Sequence, residues 1–346
     1  MNDTENIIFS QQNGLGLIYL NRPQAMNALN LSMIQQLQQQ LSQWAHEPDI
    51  HAVLITSNNT RAFCAGGDIR QLYALGRETP LKALEFFWTE YRLNYTIKTY
   101  PKPYIALLDG VTMGGGVGIS QHGSLRVGAE SLLFAMPETG IGLFPDIGAS
   151  YFLPRLPGRI GYYLGLTGAR IGLSDTLYLG LTDAFIKRAQ WDNFILALSQ
   201  LPNYAKDTLA ALVNQFSEPR PPATLEKYHD LIAEIFKDGS LDEVIERLHK
   251  NPDPWCQETL ATLQTKSPTS LQVTWEQLKR GAQLTIGECL QQEYRLAYHF
   301  LQHPDLLAGI RAVVIEKDQN PQWQPAPQDI NHFFAALPAP YTDLAF

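Results

Sequence analysis

Cysteine is scarce: Cys64, Cys256 and Cys289 are the only three in 346 residues, widely spaced and without a C-x-x-C pair. That excludes a disulfide framework and a structural zinc site, and it fits a reducing compartment. Basic residues are also short, 26 Lys and Arg against 34 Asp and Glu, for a formal charge of -8. Nucleic acid and anionic membrane surfaces call for a broad basic face, so neither is an expected partner. No apolar run reaches membrane-spanning length, and the opening MNDTENIIFSQQ lacks the basic-then-apolar order of a signal peptide, which together predict a cytoplasmic protein. Phosphate-loop chemistry lacks its signature as well: there is no GxxxxGK[ST] motif, and GGGVGI ends in Ile119 where a dinucleotide fingerprint needs glycine. Ser120 stands in GISQH, so the nucleophile-elbow pattern GxSxG breaks at His122. His299 and His303 have the spacing of a helical metal pair but lack the glutamate of HExxH, and they read as solvent-facing side chains. No metal and no redox cofactor is expected.

What the chain does have is 45% hydrophobic residues, enough for a sizeable core. Its first half alternates strand and helix signals. Gly14–Leu20 alternates apolar residues, and Met33, Ile34, Leu37, Leu41 and Trp44 form a helical stripe. Ala52–Thr56 and Tyr104–Leu108 are short apolar runs on either side of a helix-like stretch, Leu81–Thr99. Repetition of this kind predicts an α/β fold, a sheet covered by helices with ligands at strand-to-helix loops. From about Trp191 strand signals largely stop; Pro202, Pro219, Pro221 and Pro222 separate amphipathic segments, and Ser240 with Glu243 is a capping-box signature. The expected organisation is a core over residues 1–190 that carries the site and a mainly helical region over 191–346 packed on it.

Two glycine-rich loops follow strand-like runs, FCAGGD at Phe63–Asp68 and MGGGVG at Met113–Gly118, and PETGIGLFPD at Pro137–Asp146 supplies two acids after them. Glycine leaves backbone amides accessible, and a pair of preorganised N–H groups stabilises a developing oxyanion by roughly 3–4 kcal/mol per donor. A carboxylate beside such a pair can activate the attacking group. The combination points to acyl chemistry. A single glycine would read only as a tight turn, and a single acid as a solvated loop charge.

These residues resemble the crotonase (enoyl-CoA hydratase/isomerase) superfamily. The likeness runs from NRPQAMNAL (Asn21–Leu29) through both loops to LTGARIGLSDTLYLGLTDAFI (Leu166–Ile186). Its hydrolase branch is matched by KPYIALLDGVTMGGGVGIS (Lys102–Ser120), FAMPETGIGLFPDIGASYFLPRLPG (Phe134–Gly158), KSPTSL (Lys266–Leu271), QEYRLA (Gln292–Ala297) and GIRAVVIEKDQNPQW (Gly309–Trp323). The resemblance implies a ββα-repeat spiral core with a helical C-terminal region, and an acyl-CoA thioester hydrolase acting in valine breakdown. It also implies that coenzyme A enters as part of the substrate.

By the same resemblance the amides of Gly67 and Gly115 form the oxyanion hole, and Glu138 is the catalytic glutamate, acting as nucleophile or as base. Asp146 stands where hydratases usually carry glycine and the hydrolase branch has aspartate. Glu90, in FFWTEYRLNY, matches a substrate-contacting glutamate of that branch; read alone it is a surface helix charge near Arg92. Ala65, Gly67 and Ile69 match the adenine side of the first loop, with Arg70 approaching the coenzyme phosphates. Gly118 stands where hydratases of the pattern GGGxE place a second catalytic glutamate, which weighs against addition of water to a double bond. The rival readings are an enoyl-CoA hydratase or isomerase and a non-catalytic acyl-CoA-binding protein. Superfamily members commonly form trimers or hexamers, so the resemblance allows a homo-oligomer.

Overall fold

The computed structural model describes residues 6–346, which fall into two compact units whose segments interleave along the chain. The first unit takes the described part of Met1–Gly67 together with Leu93–Phe134 and Ile171–Glu226; the second takes Asp68–Arg92, Ala135–Arg170 and Lys227–Phe346.

Ten strands follow in chain order: β1 (Ile7–Gln12), β2 (Leu15–Leu20), β3 (Ala52–Ser57), β4 (Ala62–Cys64), β5 (Tyr104–Leu108), β6 (Val111–Met113), β7 (Leu125–Gly128), β8 (Leu133–Ala135), β9 (Ile171–Gly172) and β10 (Ala184–Phe185). Six of them form a sheet in the order β1-β2-β3-β5-β7-β10, and a smaller sheet has the order β4-β6-β8-β9. Only β1 and β2 pair antiparallel in the larger sheet, joined at Asn13-Gly14, both with positive φ, the residue pair such two-residue hairpins prefer. The other neighbours, β2 with β3, β3 with β5, β5 with β7 and β7 with β10, are parallel.

One face of this sheet is built from every second residue, Leu15 and Leu17, Ala52 and Leu54, Ile105 and Leu107, and Val127. The helices Trp191–Ser199 and Lys206–Phe216 cover it with Trp191, Phe194, Leu198, Leu212 and Val213. The helix Leu31–His46 is capped by Asn30, whose side chain accepts from Met33 N, and it buries the five residues of the predicted stripe.

The second unit is held by helices. Two capping boxes start Leu241–Lys250 at Ser240 and Ile286–Phe300 at Thr285, each with a glutamate at the third position reaching back. Pro254, Pro268 and Pro304 open three further helices, Pro254–Gln264, Pro268–Gly281 and Pro304–Ile310, at the position where a missing N–H costs nothing. No strand follows Phe185 among the described residues. The result is the expected α/β fold with a helical C-terminal region, its strands divided between two sheets where the sequence pattern predicts one.

One reading needs correction. His299 and His303 are half-buried, because the turn Asn331–Phe334 covers them: the His299 ring packs on His332 and Phe333, and the His303 ring on Phe333. Burial pushes His299 down to about 4. His303 serves instead as the cap of Pro304–Ile310, accepting from Asp305 N. Among the described residues no group of three or more His, Cys, Asp and Glu side chains is arranged to hold a metal.

Candidate active site

In the first unit both glycine loops leave the smaller sheet at the ends of adjacent parallel strands, β4 and β6. The segment Asn21–Leu29 holds the first loop. Asn27 is fully buried and its amide donates to Ser57 Oγ at 2.6 Å and to Phe63 O at 2.9 Å, while Ala65 N donates to Met26 O and Leu29 N donates to Gly66 O. That last bond makes the bridge between Leu29 and Gly67 without engaging the Gly67 N–H.

The second loop turns at Gly114, whose φ of 46° and ψ of -123° suit glycine alone, and Gly115 then opens the helix Gly115–Gln121. As the first residue of that helix, Gly115 has no intrahelical partner for its N–H. The loops touch through backbone: a Cβ on Gly116 would lie 2.3 Å from Cys64 O, and a Cβ on Gly66 would lie 3.8 Å from Gly115 N. Cys64 is buried in this contact. Gly118 is buried in the same helix.

The second unit gathers the acids. Glu138 opens the 3-10 turn Glu138–Ile141, which is pinned by Thr139 donating from Oγ1 to Leu166 O and by Ser267 N donating to Thr139 O. Glu138, Asp146 and Glu90 are 5%, 5% and 2% exposed. Glu90 is therefore no surface charge. Its neighbour Arg92 turns away, stacking on Trp88 and donating to Ala345 O. Tyr91, fully buried, donates from its hydroxyl to Asp146 Oδ2 at 2.9 Å. Glu138 Oε2 and Glu90 Oε1 are buried without a hydrogen-bond partner.

Burial is the first reason these carboxyls hold their protons, and their mutual repulsion is the second. Glu138 lies well above the usual carboxylate range through burial, then through the Asp146 charge; its backbone hydrogen bond opposes this and Glu90 adds to it. Glu90 is raised by burial and by Asp146. Asp146 is pushed up to about 7 by burial, with the Tyr91 hydroxyl pulling the other way. Groups this close exchange protons as a set, and the Asp146 value lies at neutrality. A partly protonated, dry carboxylate cluster with free acceptor oxygens can take a proton from water, attack an electrophilic carbon or grip a hydroxyl.

The structure thus brings Glu90, Glu138 and Asp146 together in one unit and Gly67 and Gly115 together in the other. Ala65 and Gly67 are half-buried on the first loop, Ile69 begins the helix Ile69–Glu78, and Arg70 is exposed with its guanidinium donating to Val314 O at 3.1 Å. Tyr91 was missed by reasoning from the sequence. Its only local signal is its place next to Glu90.

The family model described as enoyl-CoA hydratase/isomerase matches residues 15–332. Among curated relatives, the mitochondrial 3-hydroxyisobutyryl-CoA hydrolase of Homo sapiens is 40% identical over 356 residues, covering 99% of this chain and 91% of the relative. That of Xenopus tropicalis is 43% identical over 315 residues, covering 90% and 82%. The name of these relatives places them in mitochondria, so the cytoplasmic expectation has no support from them. Among solved structures, one titled a carnitinyl-CoA dehydratase from Mycobacterium thermoresistibile superposes with a TM-score of 0.91 at 34% identity, covering 99% of each chain. One titled an enoyl-CoA hydratase from Rhodobacter sphaeroides gives 0.88 at 36%, covering 99% of this chain and 100% of the other. With the fold and nearly the full length matched, the chain belongs to the enoyl-CoA hydratase/isomerase (crotonase) family.

Proposed function

We propose that the chain hydrolyses an acyl-CoA thioester, 3-hydroxyisobutyryl-CoA, to the free hydroxy acid and coenzyme A. The observation that carries this reading is the buried carboxylate cluster of Glu90, Glu138 and Asp146, with acceptor oxygens of Glu90 and Glu138 left without partners. Glu138 carries the attack, either on the carbonyl carbon or through a water that it deprotonates. In the first route the C–S bond breaks as an anhydride to Glu138 forms, and water then cleaves the anhydride to release the acid and restore the carboxylate; in the second, water adds directly and its oxygen enters the product. In both, coenzyme A leaves as thiolate and takes up a proton. Asp146, held by Tyr91, sets the charge next to Glu138, and Glu90 accepts from the hydroxyl of the acyl group. By family resemblance the amides of Gly67 and Gly115 take the carbonyl oxygen as it becomes negative. The resemblance likewise puts Ala65, Gly67, Ile69 and Arg70 near the coenzyme moiety.

The solved structures titled dehydratase and hydratase set the alternative. Against it, position 118 is a glycine inside a buried helix, so no carboxylate arises there to serve as a second acid. The deciding experiment follows thiol release from 3-hydroxyisobutyryl-CoA and loss of the enoyl chromophore of crotonyl-CoA with one enzyme preparation. Thiol release should dominate; faster hydration of crotonyl-CoA overturns the hydrolase reading.

A further inference from the structure

The loop that carries Asp146 is awkward by itself. Immediately after the aspartate, Ile147 has φ 57° and Gly148 has φ 84°, two consecutive left-handed residues of which the first is β-branched. A non-glycine residue in that region is strained and persists only where its surroundings hold it. Two side chains from the C-terminal helices do so, one on each side of Asp146.

Glu293, in the middle of Ile286–Phe300 and fully buried, accepts from Gly148 N at 2.6 Å, Ser150 N at 3.0 Å and Ser150 Oγ at 2.5 Å. Gln277, in Pro268–Gly281 and also fully buried, donates from Nε2 to Pro145 O at 2.7 Å. The second helix comes close enough to seat the loop only because residue 281 is glycine: a Cβ there would lie 2.1 Å from Ser150 O.

We propose that Glu293 is the positioning residue for Asp146, fixing the carboxylate by clamping the turn that follows it while Gln277 fixes the carbonyl that precedes it. The inference rests on the reading of Asp146 as a working carboxylate. A glutamate is needed because all three groups facing it are donors. Glutamine would offer one oxygen and turn its NH2 on an N–H or O–H, leaving a buried donor unsatisfied. Burial, joined by the Asp146 charge, pushes Glu293 up to about 8 against the pull of these three hydrogen bonds. The turn is thus held by a carboxyl that is itself electrostatically linked to the one it positions.

The test is a double-mutant cycle on hydrolysis of 3-hydroxyisobutyryl-CoA, with parent, Asp146→Asn, Glu293→Gln and the double variant, each checked for folding by circular dichroism. Asp146→Asn should lower kcat by about 100-fold, and Glu293→Gln by about 10- to 100-fold with KM changed less than about 3-fold. In the Asp146→Asn background, Glu293→Gln should cost less than about 2-fold more, because the group it positions is already gone. Ser150→Ala removes one of the three bonds and keeps the glutamate. It should lower kcat by about 3-fold, masked in the same way, and it carries the cycle if Glu293→Gln does not fold. A folded Glu293→Gln with parental kcat, or losses that multiply in the double variant, overturns the positioning role. Parental activity in Asp146→Asn would instead sink the reading of Asp146 itself and the inference with it.

Discussion

The two compact units present their functional groups by different means. In the first, the groups are backbone amides, and strand register and glycine place them: Gly67 and Gly115 sit where adjacent parallel strands end, and Gly116 lets the loops touch. In the second, the groups are side-chain carboxyls placed by other side chains far along the chain, Tyr91, Gln277 and Glu293. Backbone groups need no rotamer to be chosen and no charge to be buried, so glycine and a turn suffice. Carboxyls brought out of water need partners, spacing and shared protons.

Replacing Glu138 by glutamine tests the side-chain half where its effect is largest. The volume is kept and the attacking carboxylate is lost, so kcat for thiol release should fall by roughly 1000-fold or more. Coenzyme A binding, measured by calorimetry, should stay within a factor of about three, since the change is confined to the acyl-reacting group. Near-parental turnover would refute the role.

Gly67→Pro is the matching break in the backbone half, deleting an N–H rather than a side chain. A loss of about 100- to 1000-fold is expected, with the folded state and product binding checked alongside. Unchanged turnover in a folded variant would remove that amide from the oxyanion hole.

Tyr91→Phe sharpens the comparison by removing one hydroxyl and leaving every carboxylate in place. Tyr91 lowers the Asp146 pKa from a value already raised by burial. Without it Asp146 ionises at higher pH, so the acid limb of kcat should move to higher pH, with about a tenfold loss at neutrality. A profile that stays where it is would separate Tyr91 from the titration.

The smallest effect expected is on stability. Asp146 goes from an ordinary 3.8 to about 7 on burial, so the folded chain binds this proton more tightly than the unfolded chain does. Folding then takes up a proton between about pH 4 and pH 7, and stability falls as pH rises through that window. Asp146→Asn removes the proton-linked contribution. Thermal midpoints of variant and parent should agree near pH 4 and separate above pH 7, with the variant higher by a few degrees. A gap that does not change with pH would contradict the burial-driven shift.

Much of the fold was legible because its signals are local. The stripe Met33, Ile34, Leu37, Leu41 and Trp44 lies within one helix, and Ser240 with Glu243 caps another within three residues. The glycine loops could be read for the same reason. His299 and His303 were misread because the turn Asn331–Phe334 that buries them lies well beyond them in the chain. Glu90 was ambiguous as a sequence symbol, since burial rather than residue type separates a reacting carboxyl from a surface charge.

The sequence by itself determined the alternation of strands and helices, the two accessible glycine loops and the residue types available for acyl chemistry, because each depends on neighbours a few positions away. Tertiary structure alone decided which acids are dry and what holds them. Tyr91 reaches Asp146 across 55 positions, Gln277 reaches Pro145 across 132, and Glu293 reaches Gly148 across 145. Periodicity and spacing carry no information over such distances. A carboxyl's proton affinity is set by the water it has lost and the charges beside it, and both exist only once the helices have closed around it.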